Sequence, residues 1–278
     1  MNDFLRNIFL FNQDAPLIFT RFYFWAFFAV VMALYSVIYK KEKPRNAYLF
    51  LVSLFFYYKT SGIFFLLLIF STIVDFFIGR AIYKSDVKLK RKLLVALSVT
   101  VNLSVLVYYK YSGFFTESLN YIFNMELEPI DLLAQWTNQF AGTHFTIDKI
   151  ILPVGISFFT FQTISYSIDI YRGKLKPVDS IIDFGFYVSF FPQLVAGPIV
   201  RASEFIPQLY KKYSITKAEF GLAIFMILNG LIKKLVVADY IAVNFVDRVF
   251  SNPMTFSGFE NLMALYGYSL QVYADFSS

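Results

Sequence analysis

The sequence predicts an all-α, polytopic membrane helix bundle, and three observations lead there. Of its 278 residues 58% are hydrophobic and only 16% are charged, where a soluble domain carries about 25% charge. Mean hydropathy is +0.57. Apolar runs recur from Phe22 to Phe276, and the charges cluster between them instead of covering one face of each helix.

Taken in order, Phe22–Tyr39 is uncharged over 18 residues, about 27 Å of helix against a hydrocarbon core of roughly 30 Å. Further spans are expected at Asn46–Tyr58, which is short, Gly62–Gly79 with Asp75 inside, Leu93–Tyr109, Ile150–Ile168, Phe220–Ile232 and Phe259–Phe276. About seven crossings follow. The N-terminus has no basic region leading to a short apolar stretch and a small-residue cleavage site, so the first long run reads as a retained helix. Zero cysteines remove disulfides, thiolate nucleophiles and cysteine metal sites, and no metal is expected.

Loop charges set the orientation. Lys40, Lys41, Lys43 and Arg45 oppose Glu42, and Arg80, Lys84, Lys88, Lys90, Arg91 and Lys92 oppose Asp86, so both connections are expected on the cytoplasmic side. Between Lys110 and Lys149, Glu117, Glu126, Glu128, Asp131 and Asp148 dominate, which puts that stretch and His144 outside. Arg172, Lys174 and Lys176 return the chain to the cytoplasm, and the N-terminus is expected outside. The net charge of +6 is thus accounted for by topology, and nucleic acid is not an expected partner.

Ile181–Val200 breaks the alternation. It is apolar yet contains Pro192 and Gly197-Pro198, which interrupt a helix through lost N–H donors and steric clash. A full crossing would also carry Arg201, Lys211, Lys212 and Lys217 outside. A re-entrant segment lining an internal cavity resolves both conflicts, since broken backbone at membrane depth needs protein or water to satisfy it; the alternative is a kinked span. From Arg201 to Glu219, aromatic and basic residues suggest short helices in the cytoplasmic interface. Phe220–Phe250, interrupted by Lys233, Lys234, Asp239, Asn244, Asp247 and Arg248, reads either as one span followed by an interfacial helix or as a long helix whose charges face a cavity.

Ionisable groups in hydrocarbon cost about 2.5–3.5 kcal/mol on insertion scales, so Asp75, Asp239 and Asp275 require partners, water or a function. Asp169 is expected at a membrane edge beside Arg172. Asn102, Gln162, Gln193, Asn229 and Gln271 are expected to join helices by hydrogen bonds. His144, the one histidine, has no nucleophile or orienting carboxylate at a recognisable spacing and reads as an ordinary loop residue. Phosphate-binding loops, nucleophile elbows and zinc-helix motifs are absent.

The run Leu152-Pro153-Val154-Gly155-Ile156-Ser157-Phe158-Phe159-Thr160-Phe161-Gln162, then Ser165-Tyr166, Asp169 and Tyr171-Arg172-Gly173, resembles the membrane-bound O-acyltransferases, in the bacterial branch of the alginate O-acetyltransferase membrane subunit. The resemblance continues through Phe190-Phe191-Pro192-Gln193-Leu194-Val195-Ala196-Gly197-Pro198-Ile199, Gly230-Leu231-Ile232-Lys233-Lys234, Ala238-Asp239 and Tyr268 to Ser277, and covers nearly the whole chain. It implies one membrane domain over 1–278 that is the N-terminal part of a longer one. It implies acyl transfer, by preference acetyl, from a cytoplasmic acyl-CoA or acyl-carrier thioester to hydroxyls of an extracytoplasmic polysaccharide, at a bacterial inner membrane.

A tunnel joins the two sides in such enzymes, and Gln162, Gln193, Lys233, Asp239, Gln271, Tyr273 and Asp275 are the residues expected to line or support it. Lys233 or Lys234 would attract the anionic donor. The family's catalytic histidine falls beyond Ser278, so no catalytic residue is assigned and these residues alone are expected to be inactive. Membrane lipids, an acyl carrier protein and a periplasmic esterase-like acetyltransferase are the partners implied; no bound cofactor is. A transporter or polymer-export component and an inactive scaffold are the alternatives.

Overall fold

The computed structural model describes residues 11, 16–141, 147, 150–194, 197, 199–212 and 214–277, and every described element is helical. His144, Val195, Ala196, Pro198 and Ser278 lie outside the described residues. The chain divides into two compact units, one formed by Met1–Ile18 and Tyr23–Lys211, the other by Phe19–Phe22 and Lys212–Ser278.

In the first unit, helix α1 (Phe22–Ile38) and helix α2 (Glu42–Ser61) precede a 3-10 turn at Gly62–Phe64 and helix α3 (Phe65–Lys84). The short span expected at Asn46–Tyr58 is therefore 20 residues long. Its N-terminal extension holds because Arg45, read as a loop residue, and Asn46, read as the first residue of the span, are both buried. Arg45 Nη2 donates to the Leu209 carbonyl and Asn46 Nδ2 to Asp183 at 2.9 Å. Tyr210 donates to the same Asp183 carboxylate at 3.0 Å, and burial together with that carboxylate pushes its phenol above the ordinary tyrosine range.

Helix α4 (Lys88–Phe123) runs 36 residues, about 54 Å, which outlasts a hydrocarbon core of roughly 30 Å. The outward connection expected from Lys110 is thus helical as far as Phe123. Helix α5 (Leu132–Ala141) follows, and Asp131 accepts from the backbone N–H groups of Leu133 and Ala134 at its start. Burial holds the Asp131 carboxyl above the usual range against those two donors and Tyr109.

Helix α6 (Ile156–Tyr171) begins later than Ile150 and extends past Ile168. Gly155, at φ +74°, starts it, and a Cβ there would overlap the Leu194 carbonyl oxygen. Only glycine combines that left-handed backbone with such an approach. Helices α7 (Ile181–Ser189), α8 (Phe191–Leu194) and α9 (Ala202–Leu209) complete this unit. At nine residues, about 14 Å, α7 is too short to cross, and the chain breaks at Phe190, just before Pro192. A short helix followed by a break fits the re-entrant reading of this stretch.

The core of the unit is small and polar between helices α3, α4 and α6, and aromatic around α2, α7 and α8. Gly79 lets α3 approach Tyr166 and Ile170 of α6 so closely that a Cβ would stand 2.7 and 2.9 Å from them. Lipid tails are as apolar as leucine, so close backbone packing and interhelical hydrogen bonds supply what the hydrophobic effect does not. Phe56 and Phe191 meet at a ring separation of 5.4 Å, and Tyr166 and Phe184 at 4.3 Å.

The second unit is a long helix and a shorter one. Helix α10 (Lys217–Ser251) is continuous over 35 residues, with π-helical stretches at Lys233–Ala238 and Ala242–Val246. This settles the ambiguous stretch in favour of a single long helix. Thr216 and Glu219 cap its start reciprocally. A 3-10 turn at Pro253–Thr255 leads to helix α11 (Gly258–Ser277). Among the described residues, three helical stretches are long and apolar enough to cross a membrane: Glu42–Lys84, which contains two helices, Lys88–Phe123 and Lys217–Ser251.

Candidate functional site

Six of the seven residues singled out in the sequence fall into two groups, one in each unit. In the first, Gln162 on α6 and Gln193 on α8 are 2% and 8% exposed. Tyr187 links them through long contacts: its hydroxyl points to the Gln162 backbone carbonyl at 3.5 Å, and Gln193 Nε2 points to the Tyr187 backbone carbonyl at 3.5 Å. The broken backbone around them is largely satisfied by side chains. Ser53 Oγ accepts from Phe191 N–H at 3.3 Å, Tyr187 donates to the Val200 carbonyl at 3.0 Å, and Tyr57 donates to the Val154 carbonyl at 2.7 Å. Gln162 Oε1 and Ser189 Oγ are buried with no hydrogen-bond partner among the described residues. Polar atoms left open beside a helix break are what a site for water or a polar ligand offers.

A second cluster in this unit went unassigned at the level of sequence. Asp75 is fully buried and draws together three helices. Ser98 Oγ and Asn102 Nδ2 of α4 donate to it, the latter at 2.6 Å, and Ser167 Oγ of α6 donates at 3.1 Å. Thr163 in turn donates to Asn102 Oδ1 at 3.1 Å. The partner required for a carboxylate in an apolar run is therefore a set of neutral donors, and among the described residues no cation pairs with it. Asp75 and Asn102 were visible as polar residues in apolar runs. Ser98, Thr163 and Ser167 were not, because serine and threonine in a helix can satisfy themselves on their own backbone.

Asp169 also departs from expectation. It accepts from Ser203 at 3.3 Å, and among the described residues it forms no ion pair with Arg172. Helix α9 brings Ser203 to it instead.

The second unit gathers Lys234, Asp239 and Asp275. Lys234 Nζ lies 2.8 Å from Asp239 and 2.7 Å from Asp275. Lys233 Nζ donates to the Ser277 carbonyl at 3.2 Å. Lys234 is thus engaged by two carboxylates, where a free anion-attracting ammonium was expected. Gln271, one turn before Asp275 on the same face of α11, ends in a buried Oε1 without a partner among the described residues. Tyr273 is not part of this group: two residues from each of them, it points the other way and is 66% exposed. Of the seven, the structure brings together Lys233, Asp239, Gln271 and Asp275 here, and Gln162 with Gln193 in the other unit. No group of three or more metal-binding side chains occurs among the described residues.

Polar interiors threaded through long apolar helices are the build of a multi-pass membrane protein, and its relatives say of which kind. No family model matches the chain. "Probable alginate O-acetylase AlgI" of Pseudomonas aeruginosa is 33% identical over 259 residues, covering 92% of this chain and 46% of that protein. "Peptidoglycan O-acetyltransferase" of Helicobacter pylori is 32% identical over 256 residues, 83% of this chain and 45% of that protein. The Azotobacter vinelandii protein of the first name is 34% identical over 211 residues, 74% and 38%. Over most of its length the chain is thus similar to O-acetyltransferases of the membrane-bound O-acyltransferase type. It spans somewhat under half the length of these curated relatives.

Proposed function

We propose that this chain is part of a membrane O-acetyltransferase that carries an acetyl group from a cytoplasmic thioester, acyl-CoA or an acylated carrier protein, to hydroxyls of an extracytoplasmic polysaccharide at a bacterial inner membrane. The observation that carries the reading is the similarity, over most of the chain, to relatives named for O-acetylation of two different glycans. The N-terminus is assigned outside, in keeping with the loop charges. The polar groups of both units, Gln162 with Gln193 and Lys234 with Asp239, Gln271 and Asp275, supply polar surface within apolar helices, as passage of a thioester arm or a hydroxyl through a membrane requires.

His144 is the one histidine in these residues, and it lies outside the described residues. No catalytic base is assigned among the described residues. In a strain deleted for the gene, the full-length protein should restore ester-linked acetate to surface polysaccharide. Asp275→Ala in that protein should abolish the acetate while the protein still reaches the membrane in normal amount. Unchanged acetate would remove Asp275 from the site. A solute gradient that depends on the protein, without any polymer-bound acetate, would replace the enzyme reading with transport.

A further inference from the structure

Lys234 and Asp239 stand five residues apart. On a regular α-helix, at 100° per residue, their side chains would diverge by about 140°. They meet because Lys233–Ala238 is π-helical, with bonds from i to i+5 that bring residue 239 under residue 234. An ion pair between α10 and α11 needs only Lys234 and Asp275, which an α-helical turn would also provide. The rarer turn adds the second carboxylate, and helices depart from α geometry in this way most often at functional sites.

The effect is a doubly held ammonium, 2.8 Å from Asp239 on its own helix and 2.7 Å from Asp275 on α11. Lys233 grips the Ser277 carbonyl two residues further on. Between them the two lysines fix the last turn of α11, and with it the face that carries Gln271. The Oε1 of Gln271 is a buried acceptor without a donor among the described residues. A scaffold gains nothing by burying a carbonyl unpaired, and a substrate O–H would fill it.

We propose that Lys234 is a positioning residue for acyl transfer: through Asp239 and Asp275 it presets the α11 face that presents the Gln271 carbonyl to the hydroxyl of the acceptor sugar. This rests on the O-acetyltransferase reading. The role is distinct from attracting the anionic donor, for which an ammonium already shared by two carboxylates is poorly suited.

The test uses the full-length protein in proteoliposomes with acetyl-CoA as donor and an alginate oligosaccharide as acceptor. Lys234→Met is expected to lower kcat by about 30-fold with the donor KM within about twofold, and Lys234→Arg, which still bridges two carboxylates, to stay within about fivefold of wild type. In detergent, Lys234→Met and Asp275→Asn should each lower the thermal midpoint, and the double variant by clearly less than the sum, as for a contacting pair. Lys234→Met that raises donor KM at constant kcat, or thermal shifts that simply add, would overturn the proposal while leaving the enzyme reading intact. A wild-type protein that acetylates no sugar would remove the reading itself and this role with it.

Discussion

Asp75 shows how much of this chain's chemistry is settled one residue at a time. A carboxylate in hydrocarbon is costly, and here three side-chain donors from two other helices offset the cost. Asp75→Leu removes the acceptor and strands those buried donors, so we expect a loss of about 3 kcal/mol, against about 1 kcal/mol for Asp75→Asn, which keeps one acceptor oxygen. Unfolding of the detergent-solubilised protein, followed by tryptophan fluorescence, checks the order of the two. The need for partners was legible in the sequence, because a lone aspartate in an apolar run announces it. Their identity was not. Nothing in local spacing says which serine of which helix will face the carboxylate, since Ser167 lies 92 residues away.

At the scale of elements, the apolar runs marked where helices pass and mistook where they end. Helix α4 outruns its apolar stretch by 14 residues, because a helix leaving the membrane keeps its backbone bonds in water and needs no apolar surface to continue. Helix α6 starts six residues late, because Pro153 and Gly155 shape a loop that Tyr57 and Ser61 hold by hydrogen bonds to Val154. The break in Ile181–Val200 was legible from Pro192 and Gly197. The π-helical stretches were not, although a lysine and an aspartate five apart in an apolar run were the available signal. Gly155→Ala would drive a methyl group into the Leu194 carbonyl in a backbone that disfavours side chains. We expect a loss of about 3 kcal/mol or more, visible as a fall in folded yield and in thermal midpoint, and a smaller loss of about 1 kcal/mol for Gly173→Ala, where φ is likewise positive but nothing crowds the added atom.

For the whole molecule, the charge pattern of the loops makes a prediction that the absence of cysteine renders easy to read. A single cysteine at Glu126, past the end of α4, should react with a membrane-impermeant maleimide in intact cells, and one at Asp86, between α3 and α4, should react only after permeabilisation. The opposite pattern would invert the topology. The site was legible in part at this scale. Family motifs pointed to Lys233, Asp239, Gln271 and Asp275, which lie on α10 and α11, but they grouped with them a tyrosine that is exposed and gave no sign that Lys234 would bridge two carboxylates.

The buried aspartate also has a consequence for biogenesis. When α3 and α4 have left the ribosome, Ser98 and Asn102 are at hand, but Ser167 is still to be made. Until α6 is synthesised and arrives, the nascent hairpin holds a half-solvated acid in the bilayer. Its insertion is complete only when a helix translated much later docks against it, so the early segments must be sheltered at the translocon or by an insertase in the meantime.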